Sequence, residues 1–385
     1  MKKTITIKKL FKKIYYRLKA FVLLWVFYFV KLFKKKAVYF VLCERGVDAR
    51  DNGYNFYCFL KKEHPEIKVF YIIDKKSPDA QRIETDLVHY GSIKNYWVVA
   101  NAQKIISTHL GMCVPHIGAG FFTKICRLHK KFYWLQHGII QNTTPNLNYK
   151  KTPMKMCVCT AIPEYNFLKE TTGYSSNVLK CTGLARYDKL FPFTIKRQIL
   201  IMPTWRAYIL TKNKFIESSY FQIWQALLKD ERLKQLLNKY QIKLIFYPHY
   251  EVQKYLDDFR SNDSNIILAS FEKYDVQELL KESALLVTDY SSVAFDFAYM
   301  RKPILYFQFD SQEFFNQHYG KGYFHYENMG FGDICKTIDN LYLKIKENVI
   351  NEFKVDKKYE ERINLFFPFQ DSKNCERIFN EIISN

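Results

Sequence analysis

Two histidines stand where the chain has the means to do chemistry. His137 follows the apolar run Lys131 to Gln136 (KFYWLQ), and His249 follows Ile242 to Tyr247 (IKLIFY) with Pro248 between. An imidazole titrates near neutral pH, so each can accept a hydroxyl proton or offer an N–H to developing negative charge. Arg206 stands just past a third run, Gln198 to Met202, in the stretch Pro203-Thr204-Trp205-Arg206. A fourth run, Leu285 to Val287, stops at Thr288-Asp289-Tyr290-Ser291-Ser292, and a helix-period pattern (Val293, Phe297, Met300) follows directly. The two serines are placed to cap that helix, whose first N–H groups and positive dipole end suit a phosphate. Each residue also has a plainer role. A strand-end histidine commonly caps or hydrogen-bonds, and every strand-to-helix crossover needs a capped turn.

Such residues need strands that end beneath them, and the chain supplies an alternation of short apolar runs with helical segments. Strands are expected at Ala37 to Cys43, Ile67 to Asp74, Lys104 to Ser107, Lys131 to Gln136, Lys155 to Thr160 and Asn177 to Cys181. Helices are expected at Asn55 to Lys61, Ser92 to Asn101 and Pro163 to Thr171. Phe191-Pro192-Phe193-Thr194 breaks the pattern, which then restarts. Strands follow at Gln198 to Met202, Ile242 to Tyr247, Ile266 to Ala269 and Leu285 to Val287. Helices cover Tyr220 to Tyr240, with a break near Lys229, and Val276 to Lys281. The pattern predicts an α/β protein with two parallel-sheet domains, 37–190 and 191–370, and a terminal helix over 371–385 able to pack on either. Ligands of open parallel sheets sit beyond the carboxyl ends of the strands. Two such halves facing one another would form a cleft with His137 on one wall and Arg206, His249, Asp289, Ser291 and Ser292 opposite.

The 385 residues are 48% hydrophobic, enough for two cores, and carry a formal charge of +21. Twelve Lys and Arg fall in the first 36 residues, and no Asp or Glu precedes Glu44. The apolar stretch Ala20 to Val30 is well short of the ~20 residues a spanning helix requires. Leu10, Ile14 and Leu18 recur every four residues beside Phe11 and Phe21, and lysines take other faces. Segment 1–36 is therefore expected to be a basic amphipathic helix lying on an anionic membrane surface. Lys12, Lys13, Lys19, Lys34, Lys35 and Lys36 would face the headgroups, and Trp25 would sit in their zone. A signal peptide and a short single span are the rivals, although no small-residue cleavage site follows. Nucleic acid is not the expected partner, because the charge is gathered beside apolar sequence and no RNA-binding motif is present. The nine scattered cysteines read as free thiols, and nothing in the sequence calls for a metal or cofactor.

Taken together, several motifs resemble one family. They are Leu135-Gln136-His137-Gly138-Ile139, Thr182-Gly183-Leu184-Ala185-Arg186-Tyr187-Asp188, Met202-Pro203-Thr204-Trp205-Arg206 and Tyr247-Pro248-His249. Thr288-Asp289-Tyr290-Ser291-Ser292 with Phe295-Asp296, and Gly322-Tyr323-Phe324 with Tyr326-Glu327, complete the set. In order and spacing these resemble the CDP-glycerol glycerophosphotransferases, which include teichoic acid primases and polymerases and related capsule polymerases. The resemblance implies a GT-B-like architecture of two Rossmann-like domains facing a central cleft, and peripheral attachment to the cytoplasmic membrane face. It also implies transfer of an alditol phosphate from CDP-glycerol or another CDP-alditol to a hydroxyl of a lipid-linked glycan acceptor, with CMP released. By the same likeness His137 and His249 fall on the family's two important histidines. Thr204, Arg206, Thr288, Asp289, Ser291, Ser292 and Asp296 fall in motifs around the CDP site. Tyr250 departs from the proline that commonly follows the second histidine, and His325 from a common aspartate. The enzymatic alternative is a GT-B glycosyltransferase that uses a nucleotide sugar.

Overall fold

A computed structural model describes residues 7–31, 39–115, 117, 119–125, 128–143, 147–209, 211–317 and 322–385. The chain divides into two compact units. The first holds Met1–Ile139, Thr144–Lys189 and Asp371–Asn385, and the second holds Ile140–Thr143 and Leu190–Gln370. The four residues 140–143, just past His137, thus belong to the second unit.

The first unit opens with helix α1 (Ile7–Lys31) and builds a seven-stranded parallel sheet. Its strands are β1 (Phe40–Cys43), β2 (Val69–Ile73), β3 (Leu87–His89), β4 (Lys104–Ser107), β5 (Phe132–Trp134), β6 (Met156–Cys159) and β7 (Leu179–Cys181). Their order is β3-β2-β1-β4-β5-β6-β7. Helices α2 (Asn52–Glu63), α3 (Ile93–Asn101) and α4 (Ile162–Thr172) cross between strands. β1 is buried at all four positions, as expected of a parallel strand covered on both faces.

The second unit repeats the plan with six parallel strands. After β8 (Gln198–Met202) come helices α5 (Lys212–Ile216), α6 (Ser219–Lys229) and α7 (Glu231–Tyr240), then β9 (Lys243–Phe246), α8 (Tyr250–Gln253), β10 (Ile266–Leu268) and α9 (Val276–Glu282). β11 (Leu285–Thr288), α10 (Val293–Tyr299), β12 (Ile304–Phe307), α11 (Ser311–Gln317), α12 (Tyr326–Met329), β13 (Gly332–Cys335), α13 (Ile338–Ile350) and α14 (Lys357–Phe366) complete it. The order β10-β9-β8-β11-β12-β13 reverses direction beside the first strand, as in a Rossmann sheet. Trp224 of α6, fully buried against Phe307 and Phe246, sits in its core. Asp230 ends α6 and caps α7 through Arg232 N and Leu233 N, which is the physical cause of the break expected near Lys229.

The final helix, α15 (Asn374–Ser384), returns to the first unit. Asp188 caps its start by accepting from Asn374 N at 2.8 Å and Cys375 N at 2.7 Å. Lys104 donates to the carbonyl of Ile382 near its end at 2.8 Å. Lys131 does the same for α3, through the carbonyls of Val99, Ala100 and Ala102, and Lys302 for α9, through Leu280, Lys281 and Ser283. Part of the excess positive charge thus neutralises helix C-termini inside the fold.

Helix α1 runs unbroken through the basic and apolar stretches and packs against α3. Ala20 and Leu24 are buried, whereas Phe11, Ile14, Tyr15, Leu18, Val22, Val26 and Phe29 form an exposed stripe on the other side. Lys19 is exposed and Trp25 is partly buried between Phe21 and Phe29. The side chains of Lys12 and Lys13, and Lys34, Lys35 and Lys36 altogether, lie outside the described residues. Among the described residues no helix is long and apolar enough to cross a membrane. Of the cysteines, Cys43, Cys113, Cys157, Cys159, Cys335 and Cys375 are buried free thiols, Cys58 and Cys181 are partly buried, and Cys126 lies outside the described residues.

Candidate active site

In each sheet the strand order reverses between two central neighbours, β1 and β4 in the first unit and β8 and β11 in the second. Loops leaving those strands are where such sheets hold ligands. In the first unit they carry Glu44 and Thr108-His109, with His137 on the next strand's loop. In the second they carry Thr204-Arg206 and Asp289-Ser292.

His137 is presented by a strained, tightly held turn. The preceding Gln136 adopts φ of 60°, a left-handed conformation uncommon for a residue with a side chain. Three partners hold it there. Its backbone carbonyl accepts from Asn52 Nδ2 at 2.9 Å, and its side-chain Nε2 donates to the Val158 carbonyl and, at 3.3 Å, to Glu164 Oε1. Asn52, in the first turn of α2, also accepts from Arg186 N at 3.0 Å, so one side chain ties the His137 loop to the Gly183–Asp188 motif. Arg186 Nη1 contacts Asp51 Oδ1 at 2.9 Å and donates to the carbonyl of His137 at 3.1 Å. The His137 ring is open to solvent and stacks on His109, centroids 4.7 Å apart and planes 18° apart. Desolvation holds its pKa below the ordinary imidazole value; Asp51 opposes this and Arg186 adds to it, and the ring's exposure screens part of the effect. A neutral imidazole is the form that can accept a proton.

The N-terminus of α2, the usual anion seat of a Rossmann unit, is filled by the protein itself. Glu44 is fully buried and accepts from Asp51 N and Tyr54 N, each at 2.9 Å, and from Arg50 N at 3.2 Å. Burial, with Asp51 beside it, pushes its pKa up to about 8 against the pull of those three N–H groups.

The second unit treats its sequence-marked residues differently from one another. Arg206 was expected at the substrate, but its side chain and that of Asp289 are 0% exposed. Nε and Nη2 face Asp310 at 2.7 and 3.0 Å, Nη2 meets Asp289 at 2.9 Å, and Nη1 donates to the Thr204 carbonyl at 2.7 Å. Tyr220, Tyr290 and Phe314 surround the guanidinium within 5.2 Å. Burial works against its charge, but Asp289 and Asp310 outweigh it and raise its pKa further. The group laces strand ends together and turns no N–H outward. Asp289 also accepts from Thr204 N at 2.8 Å and Tyr290 N at 2.6 Å, and Thr288 donates to the Met202 carbonyl at 2.7 Å. Asp296 is buried within α10. These four residues shape the turn from within.

What the turn presents is Ser291 and Ser292, both partly exposed. The expected capping is not what they do. Ser292 stands at the N-cap position in helical conformation with no side-chain cap, and Ser291 Oγ reaches Val293 N only at 3.5 Å. Next to Asp289, the Thr204 hydroxyl is buried without a hydrogen-bond partner, a state costly enough to point to a missing one. The carbonyls of Asp289 and Tyr290 are pinned by Gln308 and Gln141, each at 3.0 Å, and Tyr326 donates to Gln141 at 3.1 Å. His249, partly exposed, stacks on Trp205 with centroids 6.0 Å apart. Its Nδ1 accepts from Glu251 N at 3.2 Å, which leaves the proton of the neutral ring on Nε2.

Residues 23–384 match the family described as CDP-glycerol:poly(glycerophosphate) glycerophosphotransferase. The chain belongs to this transferase family. The Minor teichoic acid biosynthesis protein GgaB of Bacillus subtilis (strain 168) is 32% identical over 371 residues, covering 91% of this chain and 40% of that protein. A teichoic acid poly(glycerol phosphate) polymerase of the same strain is 23% identical over 359 residues, covering 85% of this chain and 46% of its own. The chain thus spans less than half the length of either relative. The solved structure of the wall teichoic acid polymerase TagF matches with a TM-score of 0.69 at 16% identity, covering 97% of both chains. That likeness shows the fold, two Rossmann-like units of GT-B-like type.

The sequence marks the strand-end residues of each unit, with His109 as a weaker candidate beside His137, but gives no sign of Asp51, Asn52, Gln141, Gln308 and Asp310 or of the stacking of His109 on His137. Their positions past strand ends or at a helix start were the available signal; their partners lie far away in sequence.

Proposed function

We propose that this chain moves glycerol phosphate, or another alditol phosphate, from a CDP-alditol to a hydroxyl of a lipid-linked teichoic acid or capsular acceptor, releasing CMP. The acceptor oxygen attacks the alditol-bearing phosphorus, its proton passes to His137, and the bond from that phosphorus to the CMP oxygen breaks. The observation that carries this reading is His137, an imidazole kept neutral on a turn whose strained backbone is held by three side-chain contacts. The diphosphate belongs to the second unit, because Glu44 fills the equivalent seat in the first. There the backbone of the Ser291-Ser292 turn, the Thr204 hydroxyl and an N–H from His249 Nε2 would take the phosphate oxygens and the charge that grows on CMP. Arg206 and Asp289 serve this site by holding its turn.

The exposed apolar stripe of α1, beside Arg17 and Lys19, supports attachment in the plane of an anionic membrane at its cytoplasmic face. A lipid-linked acceptor would then be met where it resides.

The test is CMP release from CDP-glycerol, CDP-ribitol and UDP-sugars by the purified chain with a glycerol-phosphate oligomer as acceptor. The expected result is release from a CDP-alditol alone, abolished in His137→Ala while CDP-glycerol still binds. Normal turnover by that variant, or turnover of a UDP-sugar, overturns the reading.

A further inference from the structure

His109 is assigned no part in the reaction outlined above, yet it is the side chain laid flat on the ring of His137. The two centroids are 4.7 Å apart with planes inclined by 18°. His109 is itself immobilised. The Ser107 hydroxyl donates to its carbonyl at 3.0 Å and accepts from its N–H at 3.2 Å, and Thr108 Oγ1 lies 2.9 Å from its Nδ1. All of this follows directly from β4, whose last residue, Ser107, pairs in register with Cys43 of β1 and Trp134 of β5. The ring therefore inherits its place from the centre of the sheet.

We propose that His109 is a positioning residue for His137: its flat, uncharged ring fixes the plane of the neighbouring imidazole, and so the direction of the nitrogen lone pair. The inference rests on the reading of His137 as the base. Asp51 at the head of α2, Arg186 from the turn 185–189 and Arg45 after β1 act on the pair through charge, and the Thr108 backbone, one residue before His109, hydrogen-bonds the His137 ring at its edge while His109 covers its face. Burial first, then His137 and Arg45, push the pKa of His109 down to about 3, so it stays neutral and the stack carries no like-charge repulsion. A stack of two neutral rings constrains rotation about the last side-chain bond of His137, which no hydrogen bond to its backbone can do.

The stacking function needs a flat ring and no titrating nitrogen, which separates it from direct participation. Loss of the ring should lower kcat by about 10- to 100-fold, the scale of a misdirected catalytic group, with little change in KM for CDP-glycerol. The experiment compares His109→Ala and His109→Phe in CMP release from CDP-glycerol with a glycerol-phosphate oligomer as acceptor. Both are also examined by NMR for the ring-current shift of the His137 Cε1 proton. The expected result is that Ala loses kcat and the shift, whereas Phe keeps the shift and recovers kcat to within a few-fold of the parent. Wild-type kcat in His109→Ala, or a folded His109→Phe that keeps the shift but is as slow as Ala, overturns the proposal. If His137→Ala itself turns over normally, the base reading fails separately.

Discussion

The guanidinium of Arg206 meets the carboxylate of Asp289 at 2.9 Å with both side chains sealed from solvent, and Asp310 closes the other side at 2.7 Å. One cation thus balances carboxylates that follow two different strands, β11 and β12. The arrangement gives an arginine just past β8 a structural task, joining the ends of three strands.

Removing that cation leaves two buried carboxylates without a counter-charge. Arg206→Ala should cost about 3–5 kcal/mol of stability in urea unfolding followed by the fluorescence of the buried Trp224. Arg206→Lys, which lacks the planar fork, should be intermediate. If Arg206 instead bound phosphate, Arg206→Lys would unfold like the parent and show only a raised KM for CDP-glycerol.

Glu44 imposes a pH dependence on the first unit. Its folded pKa, about 8, lies above the ordinary 4.5, so the folded state holds the proton more tightly than the unfolded chain. The stability it contributes is complete below pH 4.5 and is lost as pH rises through about 8. Glu44→Gln should flatten the fall in stability across that window in thermal melts, although it sacrifices one of the backbone contacts. An unchanged slope in the variant would show that Glu44 is already ionised.

Gly183 adopts φ of +82°, and a methyl group there would lie 1.9 Å from Asn374 Oδ1. Gly183→Ala should therefore displace the first turn of α15 and its contacts with Asp188, at about 1–3 kcal/mol. Hydrogen exchange would report this as faster amide exchange in α15 with the second unit unaffected.

The two sides of α1 should respond oppositely to a charge. Leu18 and Val22 are 59% and 54% exposed, whereas Ala20 is 0% exposed. Leu18→Glu with Val22→Glu should leave the melting temperature near that of the parent and abolish sedimentation with anionic vesicles. Ala20→Glu should lower the melting temperature by forcing α1 away from its neighbours. Undiminished vesicle binding by the double variant would remove the apolar stripe from the attachment.

The fold was largely legible because its strands are buried on both faces and read as continuous apolar runs. β4 and β8 span the very residues expected, 104–107 and 198–202. The strands outside the expected set, β3 (Leu87–His89) and β13 (Gly332–Cys335), lie at sheet edges, where a strand has one neighbour and tolerates polar residues. Helices α13 and α14 also lie outside the expected elements. Each buries one narrow stripe, Leu341, Ile345 and Val349 in α13 and Tyr359, Ile363 and Phe366 in α14, among mostly polar neighbours.

By itself the sequence determined which residues end the strands, and hence that His137, His249, Thr204 and the serine turn lie at the carboxyl edges of parallel sheets. It also determined the family, through motifs in a set order. Apolar periodicity and turn chemistry act over a few residues, so they can be read along the chain. The tertiary structure alone decided what each polar group does there. Arg206 turns inward because Asp310, 104 residues onward, arrives within 2.7 Å, and Glu44 occupies the anion seat of its own unit. Charges are paired by proximity in space, and that is set only once the sheets have formed.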